Sequence, residues 1–218
     1  MYSTQNLYDL SHTLAKDYLA SFPYPHEALA GIGELIIALI PSLGEDYAAP
    51  AENVRIHKTA KVAENTHISG PCIIGAETEV RPGAYIRGNA LIGENCVVGN
   101  STEIKNAILF DGVQVPHFNY IGDSILGYKA HFGAGSITSN VRSDKKPVMI
   151  HTPEKICTDR KKVGAFVGDY AEIGCNAVLN PGTVLGKSSM VYPTACVRGI
   201  VPANHIWRLN NTIIPRNA

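Results

Sequence analysis

Aliphatic side chains recur at every sixth position over a long stretch of the chain: Ile56, Val62, Ile68, Ile74, Val80, Ile86, Ile92, Val98 and Ile104. Two residues before the next aliphatic sits a small side chain each time: Ala60, Thr66, Cys72, Thr78, Ala84, Ala90, Cys96 and Thr102. Residues two apart on a strand share a face, so the small and the large side chain point inward together. Gly75, Gly93 and Gly99 directly follow the aliphatic position, and Asn65, Asn89 and Asn95 fall two places later in their repeats. Both residue types tolerate the positive φ of a tight corner. The ladder resumes at Val167, Ile173, Leu179, Leu185, Val191 and Val197, with small residues at Ala171, Ala177, Thr183, Ser189 and Ala195. A period of six suits neither an amphipathic helix nor the irregular strand spacing of a sandwich. It predicts an all-β solenoid from about residue 54 to 201.

The N-terminal segment has a different period. Leu7, Leu10, Leu14 and Tyr18 follow helical spacing, as do Leu29, Ile32, Ile36 and Leu39, with Pro23 and Pro25 between the runs and Pro41 after them. The expectation is a helical hairpin within residues 1–50, a solenoid domain over 51–201 and a tail over 202–218. The hairpin is expected to cover the open end of the solenoid, where backbone groups would otherwise lack partners. Contact with a substrate is the other reading.

The ladder fails in two places. It slips by five residues from Ile104 to Leu109, then runs Val115, Ile121, Leu126 and Phe132 with another five-residue step inside it. His117 falls on a corner in this stretch, beside Asn119, Tyr120 and Asp123, and imidazole accepts a proton near neutral pH. The second break, residues 139–162, has no hexapeptide pattern and is expected to loop out of the coil. It carries Arg142, Lys145 and Lys146 near its start and Arg160, Lys161 and Lys162 at its end. These form either a solvated loop or a clamp for an anion. Arg87 and Lys105 lie 18 residues apart, each directly after an inward aliphatic. If three hexapeptides make one coil they stack as like charges, an arrangement that a bridging anion favours.

Composition narrows the picture. Lys and Arg number 19 against 19 Asp and Glu, so no global field favours nucleic acid or an anionic membrane. Five cysteines without a CxxC pair suggest neither a disulfide framework nor a zinc site, and a reducing cytoplasm is the expected location. The N-terminus does not read as a signal peptide. The apolar stretch Ile32–Ile40 is too short to span a bilayer, which takes about 20 residues.

The strings IRGNALIGENCVVGNSTEIKNA, PHFNYIGDS and GAGSITSN, in that order, resemble the motifs of a hexapeptide-repeat acetyltransferase family. The likeness is to the acetyltransferase domain of bifunctional N-acetylglucosamine-1-phosphate uridyltransferases. It spans about residues 54–201, and the long loop with its TDRKKVGAFVGD exit is more similar to the archaeal branch. The resemblance implies a left-handed parallel β-helix with three hexapeptides per coil, a homotrimer with sites between neighbouring coils, and acetyl-CoA as co-substrate without a required metal. By the same resemblance His117 is the catalytic base. Arg87, Lys105, Tyr120, His131 and Lys146 contact an amino sugar 1-phosphate, with glucosamine 1-phosphate the implied acceptor in UDP-N-acetylglucosamine biosynthesis. Ala134, Asn140, Val141 and Cys175 lie along acetyl-CoA, with the Ala134 N–H supporting the thioester oxygen.

The string RPGA at Arg81 also resembles the family's arginine motif, but the spacing to Lys105 selects Arg87. The chain departs from the bacterial pattern at His131, Val141 and Cys175, where that pattern has Asn, Tyr and Ser. Uridyl transfer is not expected, since no Gly-rich nucleotide loop precedes residue 54. Two other classes stand beside this reading: a non-catalytic, sugar-nucleotide-binding partner of a separate nucleotidyltransferase, and a hexapeptide-class carbonic anhydrase. The gap from His117 to His131 is too long for the paired zinc ligands of the latter.

Overall fold

The inward positions become three stacked ladders in the computed structural model, which describes residues 2–216. One face aligns Ile56, Ile74, Ile92, Leu109, Leu126, Val167, Leu185 and Val201 on successive parallel strands. A second aligns Val62, Val80, Val98, Val115, Phe132, Ile173, Val191 and Trp207. The third aligns Ile68, Ile86, Ile104, Ile121, Thr138, Leu179 and Val197. The fold is a left-handed parallel β-helix. Burying one such aliphatic contributes about 1.5–3 kcal/mol, against a net ~1 kcal/mol for a hydrogen bond. The ladders therefore fix the register, and backbone pairing follows it.

Thr138 is the one polar member of its ladder. It is fully buried, its Oγ1 accepts from the Gly122 N–H at 2.9 Å and it donates to the Tyr120 carbonyl at 3.2 Å. The backbone peels away one residue later, and the hydroxyl supplies the acceptor that the departing strand no longer offers. The neck of the resulting insertion is held shut by the Val163 N–H donating to the Asn140 carbonyl at 2.9 Å and by an antiparallel bridge between Val141 and Lys162. Beyond the neck, Met149–Ile150 pairs antiparallel with Ile156–Cys157, and Val148 and Ile150 are buried.

The five-residue steps fall at a corner other than that of His117. Asn89, Asn106 and Asp123 all occupy left-handed backbone, at φ 48, 50 and 48°, and stack at one corner of successive coils. At Asn89 the turn also uses Gly88 at φ 91°. At Asn106 and Asp123 it loses a residue, and each of these coils takes 17 residues where regular ones take 18. The His117 corner keeps its full length.

Both ends of the solenoid are covered by antiparallel strands, Tyr47–Ala48 on Val54–His57 and Ile213–Pro215 on His205–Trp207. The ladder thus continues past Val201 into the segment expected as a tail. The ends of the 1–50 and 202–218 segments, residues 1, 217 and 218, lie outside the described residues. Apart from Tyr47–Ala48, the N-terminal segment does not cap an end. It forms short helical pieces, Thr4–Leu7, Leu10–His12, Lys16–Ala20, Pro25–Gly31 and Ile32–Leu39, laid along the flank of the middle coils. The Tyr8 hydroxyl donates to the Ile125 carbonyl at 3.2 Å, and the Asp111 N–H to the His12 carbonyl at 3.1 Å. Because the first run is broken into pieces, its spacing does not define one buried face, and Leu14 is left exposed.

Gly99 lies on the rung next to that of His117, and a Cβ added there would run into the Pro116 carbonyl. Gly99→Ala is expected to cost about 1–3 kcal/mol, the usual range for overpacking, read as a lower denaturant midpoint with an unchanged m-value.

Candidate active site

His117 ends the strand Gln114–His117 and is exposed. Its backbone is fixed on both sides: its N–H donates to Asn119 Oδ1 at 3.1 Å, and its carbonyl accepts from the Gly135 N–H at 2.9 Å. Asn119 is buried, and its Nδ2 donates to the Gly133 carbonyl at 2.9 Å and the Ser136 carbonyl at 3.0 Å. One amide side chain thereby ties the His117 corner to the next corner, which carries Ala134. The N–H groups of Gly133, Gly135 and Ser136 are all paired, whereas those of Ala134 and Cys175 have no acceptor among the described residues. Register places His117, Ala134 and Cys175 at one corner of successive rungs, about 4.8 Å apart. Phe118, immediately after His117, is 61% exposed at φ 53°, strained backbone for a bulky side chain.

The face between this corner and the Asp123 corner carries the second group. Asp123 is buried, and its carboxylate accepts from Lys105 Nζ at 3.2 Å, Asn106 Nδ2 at 3.0 Å and Asn140 Nδ2 at 2.6 Å. Asn140 Nδ2 also donates to the Tyr120 hydroxyl at 3.1 Å. Partial burial pushes the Tyr120 phenol upward against the lowering effect of that hydrogen bond, so the hydroxyl keeps a proton to donate. Arg87 lies in register with Lys105, as the 18-residue spacing predicts. The two like charges are neutralised separately, Arg87 by Glu103 at 2.7 Å and Lys105 by Asp123. Glu103 raises the guanidinium above its ordinary value.

The structure thus gathers His117, Ala134 and Cys175 on a corner, and Arg87, Lys105, Tyr120 and Asn140 on the adjoining face. His131 is elsewhere within the chain, facing Glu172 across one rung with Nδ1 2.9 Å from Oε2. Lys146 is exposed in a turn where its N–H donates to Asp144. Arg142 holds the Asp144 carboxyl well below the usual carboxylate range. Val141 lines a separate cleft of about 450 Å³ with Arg142, His151, Asn180 and Arg198. Arg81, the rejected alternative to Arg87, pairs with Glu79 at 3.1 Å. The basic loop is split: its end, Arg160–Lys162, shares a cleft with Lys105, and its start does not. The organising roles of Asn106, Asn119 and Asp123 were not assigned from sequence. Among the described residues no group of three His, Cys, Asp or Glu side chains is placed to hold a metal ion, and no helix is long and apolar enough to cross a membrane.

A family profile described as the GMPPB C-terminal domain matches residues 68–214. The chain belongs to that family. Among curated relatives of this GMPPB C-terminal-type chain, a "bifunctional sugar-1-phosphate nucleotidylyltransferase/acetyltransferase" of Sulfurisphaera tokodaii is 34% identical, covering 70% of this chain and 38% of the relative. A "bifunctional protein GlmU" of Methanococcus maripaludis is 31% identical over 92% of this chain and 50% of the relative. The chain therefore spans half or less of either protein. An "uncharacterized acetyltransferase YaiX" of Escherichia coli is 30% identical, with 71% and 74% covered. The family resemblance seen in the motifs, including its archaeal leaning, is borne out. Solved structures include PerB of Caulobacter crescentus, in complex with CoA and GDP-perosamine, at 19% identity and TM-score 0.37, covering 70% of this chain and 52% of that one.

Removing the Asp123 carboxylate strands three donors. Asp123→Ala is expected to lose about 1–3 kcal/mol, the cost of unsatisfied buried polar groups, and Asp123→Asn less, since it keeps one acceptor oxygen; urea denaturation of both measures it. Cys72 and Cys96 are buried, and burial pushes each thiol up to about 12. Native protein is expected to show three thiols, Cys157, Cys175 and Cys196, to a colorimetric reagent, and five in denaturant.

Proposed function

We propose that the chain transfers the acetyl group of acetyl-CoA to the amine of an amino sugar phosphate, with glucosamine 1-phosphate the first acceptor to test. The observation that carries this reading is the corner column: an exposed imidazole with its backbone pinned, next to a rung whose Ala134 N–H has no acceptor among the described residues. That pairing is what acyl transfer to an amine needs, a base and an oxyanion donor fixed relative to each other. His117 takes the proton from the amine as its nitrogen bonds to the thioester carbon. The Ala134 N–H donates to the oxygen of the tetrahedral intermediate. The C–S bond then breaks, and the His117 imidazolium returns the proton to the leaving thiolate.

The adjoining face supplies the acceptor contacts, with Arg87 and Lys105 toward the phosphate and the Tyr120 hydroxyl toward the sugar. Cys175, one rung beyond Ala134, offers a second N–H for the pantetheine arm. A homotrimer would give this open corner its second wall. The exposed Phe118 on this corner, 61% accessible, suits such a contact. The acetyltransferase names of the relatives point the same way. A second reading draws on the name of a relative, a bifunctional sugar-1-phosphate nucleotidylyltransferase/acetyltransferase: a sugar-nucleotide-binding partner of a separate nucleotidyltransferase. Binding without turnover would favour it.

Purified protein, acetyl-CoA and a panel of amino sugars and their phosphates, with free CoA quantified by chromatography, provide the test. Turnover on at least one phosphate is expected, and turnover on none overturns the reading. His117→Ala is expected to lower kcat by about 10²–10⁴, and full rate in that variant removes the assigned base.

A further inference from the structure

On the face that joins the His117 corner to the Asp123 corner, the outward side chains form two columns. The column nearer His117 runs His67, Tyr85, Glu103 and Tyr120 on successive rungs and continues as Ile137, Val178 and Cys196. The other carries Ser69, Arg87 and Lys105 on the rungs of His67, Tyr85 and Glu103. Side-chain rings in the first column stand at Tyr120 and on the coils before it, and none stands on the coils after it.

Tyr85 and His67 are both exposed, Tyr85 to 43%, although the residues flanking Tyr85, Ala84 and Ile86, are buried. Neither ring takes part in the acetyl transfer assigned to His117 and Ala134. The His67 imidazole meets the Tyr85 ring edge-on, 5.3 Å between centroids and 67° between planes, and Arg87 Cζ lies 5.8 Å from the Tyr85 centroid. His67 Nε2 lies 3.1 Å from Ser69 Oγ, which fixes the imidazole. Arg87 donates one guanidinium N–H to Glu103 Oε1 at 2.7 Å, and Glu103 Oε2 has no partner among the described residues. Rungs are about 4.8 Å apart. Lys105 is one rung from Tyr120, Tyr85 and Arg87 are two, and His67 is three, or about 14 Å away. An amino sugar held at Tyr120 with its 1-phosphate on Lys105 therefore ends before the Tyr85 ring. Only a group esterified to that phosphate reaches it.

We propose that Tyr85 and His67 form a nucleoside shelf, and that the preferred acceptor is an amino sugar linked to a nucleoside diphosphate rather than the free 1-phosphate. The base lies on Tyr85, since any base can stack on an aromatic face. The diphosphate spans Lys105 and the unspent donors of Arg87, and Glu103 Oε2 accepts from a sugar hydroxyl. The choice of acceptor rests on the acetyl-transfer reading, whereas nucleotide binding by the shelf does not.

Calorimetric titration of the full chain with uridine diphosphate and with inorganic pyrophosphate tests the shelf without turnover. Uridine diphosphate is expected to bind about 5–100-fold more tightly, the contribution of one stacked base. Tyr85→Ala, and Tyr85→Leu with its bulk retained, are expected to erase that preference, and Tyr85→Phe, which keeps the ring, to preserve it. Equal binding of the two anions by the parent, or a preference that survives in the Ala and Leu variants, overturns the shelf. In the kinetic arm, UDP-glucosamine is expected to show a lower KM than glucosamine 1-phosphate, and Tyr85→Ala to raise the first KM more than the second. A parallel change in both overturns the assigned acceptor. A Tyr85-dependent preference for uridine diphosphate without transfer to any amino sugar upholds the shelf and removes the acetyl-transfer reading.

Discussion

Every inward side chain in this chain must meet the inward side chain of the next coil, and the rest of the structure adjusts to that constraint. Strand spacing is fixed near 4.8 Å by backbone pairing, so a coil can change length only at its corners or by expelling a whole segment. Both solutions appear. The corners at Asn106 and Asp123 shed one residue each, and residues 139–162 leave the coil between Thr138 and Val163 without shifting the ladders above and below. The register of Phe132 on Ile173 is as direct as that of Ile56 on Ile74.

The shortened corner has a chemical consequence. With 17 residues in the coil, Lys105 pairs in register with Gly122, and its ammonium reaches one residue diagonally to Asp123. A turn that spends one residue in left-handed backbone holds its side chain close to the coil, and Asn106 and Asp123 are both buried there. The carboxylate therefore collects an ammonium and two amides from two segments, Lys105 and Asn106 on the preceding coil and Asn140 at the neck of the insertion. Asn140 is shared between that carboxylate and Tyr120. The position of the insertion and the state of the Tyr120 hydroxyl are thus linked through one buried anion.

The solenoid was legible in the sequence because its signal is local and repeated: one missing aliphatic among many does not erase a period of six. The five-residue steps were legible as lengths, but not which corner absorbed them, since counting inward residues is silent on where the turn between them shortens. Thr138 was invisible as a ladder member because a hydroxyl stood in an aliphatic slot, and its role depends on a strand that ends beside it. Handedness came only from motif resemblance. The N-terminal segment was read as two helices because spacing alone shows which residues share a face if a helix is continuous. Asp9 accepting from Ser11 and the extended backbone at Tyr8 and Thr13 break it first. In the site, His117, Ala134 and Cys175 were found as motif positions, and the 18-residue rule brought Arg87 to Lys105. Their carboxylate partners were missed because Glu103 and Asp123 meet them diagonally.

A β-helix is a poor place to build a pocket from its own side chains, because each face is flat and each corner points outward. Concavity has to come from chain that is not part of the coil. Here the N-terminal segment and the insertion, separated by more than 100 residues in sequence, converge on the same corner, and each is bonded to it through a polar residue of the shortened turn: Leu29 through Asn106, and the neck through Asp123 and Asn140. Asn89, at a full-length corner, stands in register with Asn106 and lines the same cleft as Lys105. The column of Asn89, Asn106 and Asp123 therefore presents polar side chains on successive coils, and its two shortened corners supply the ones that bond Leu29 and the neck.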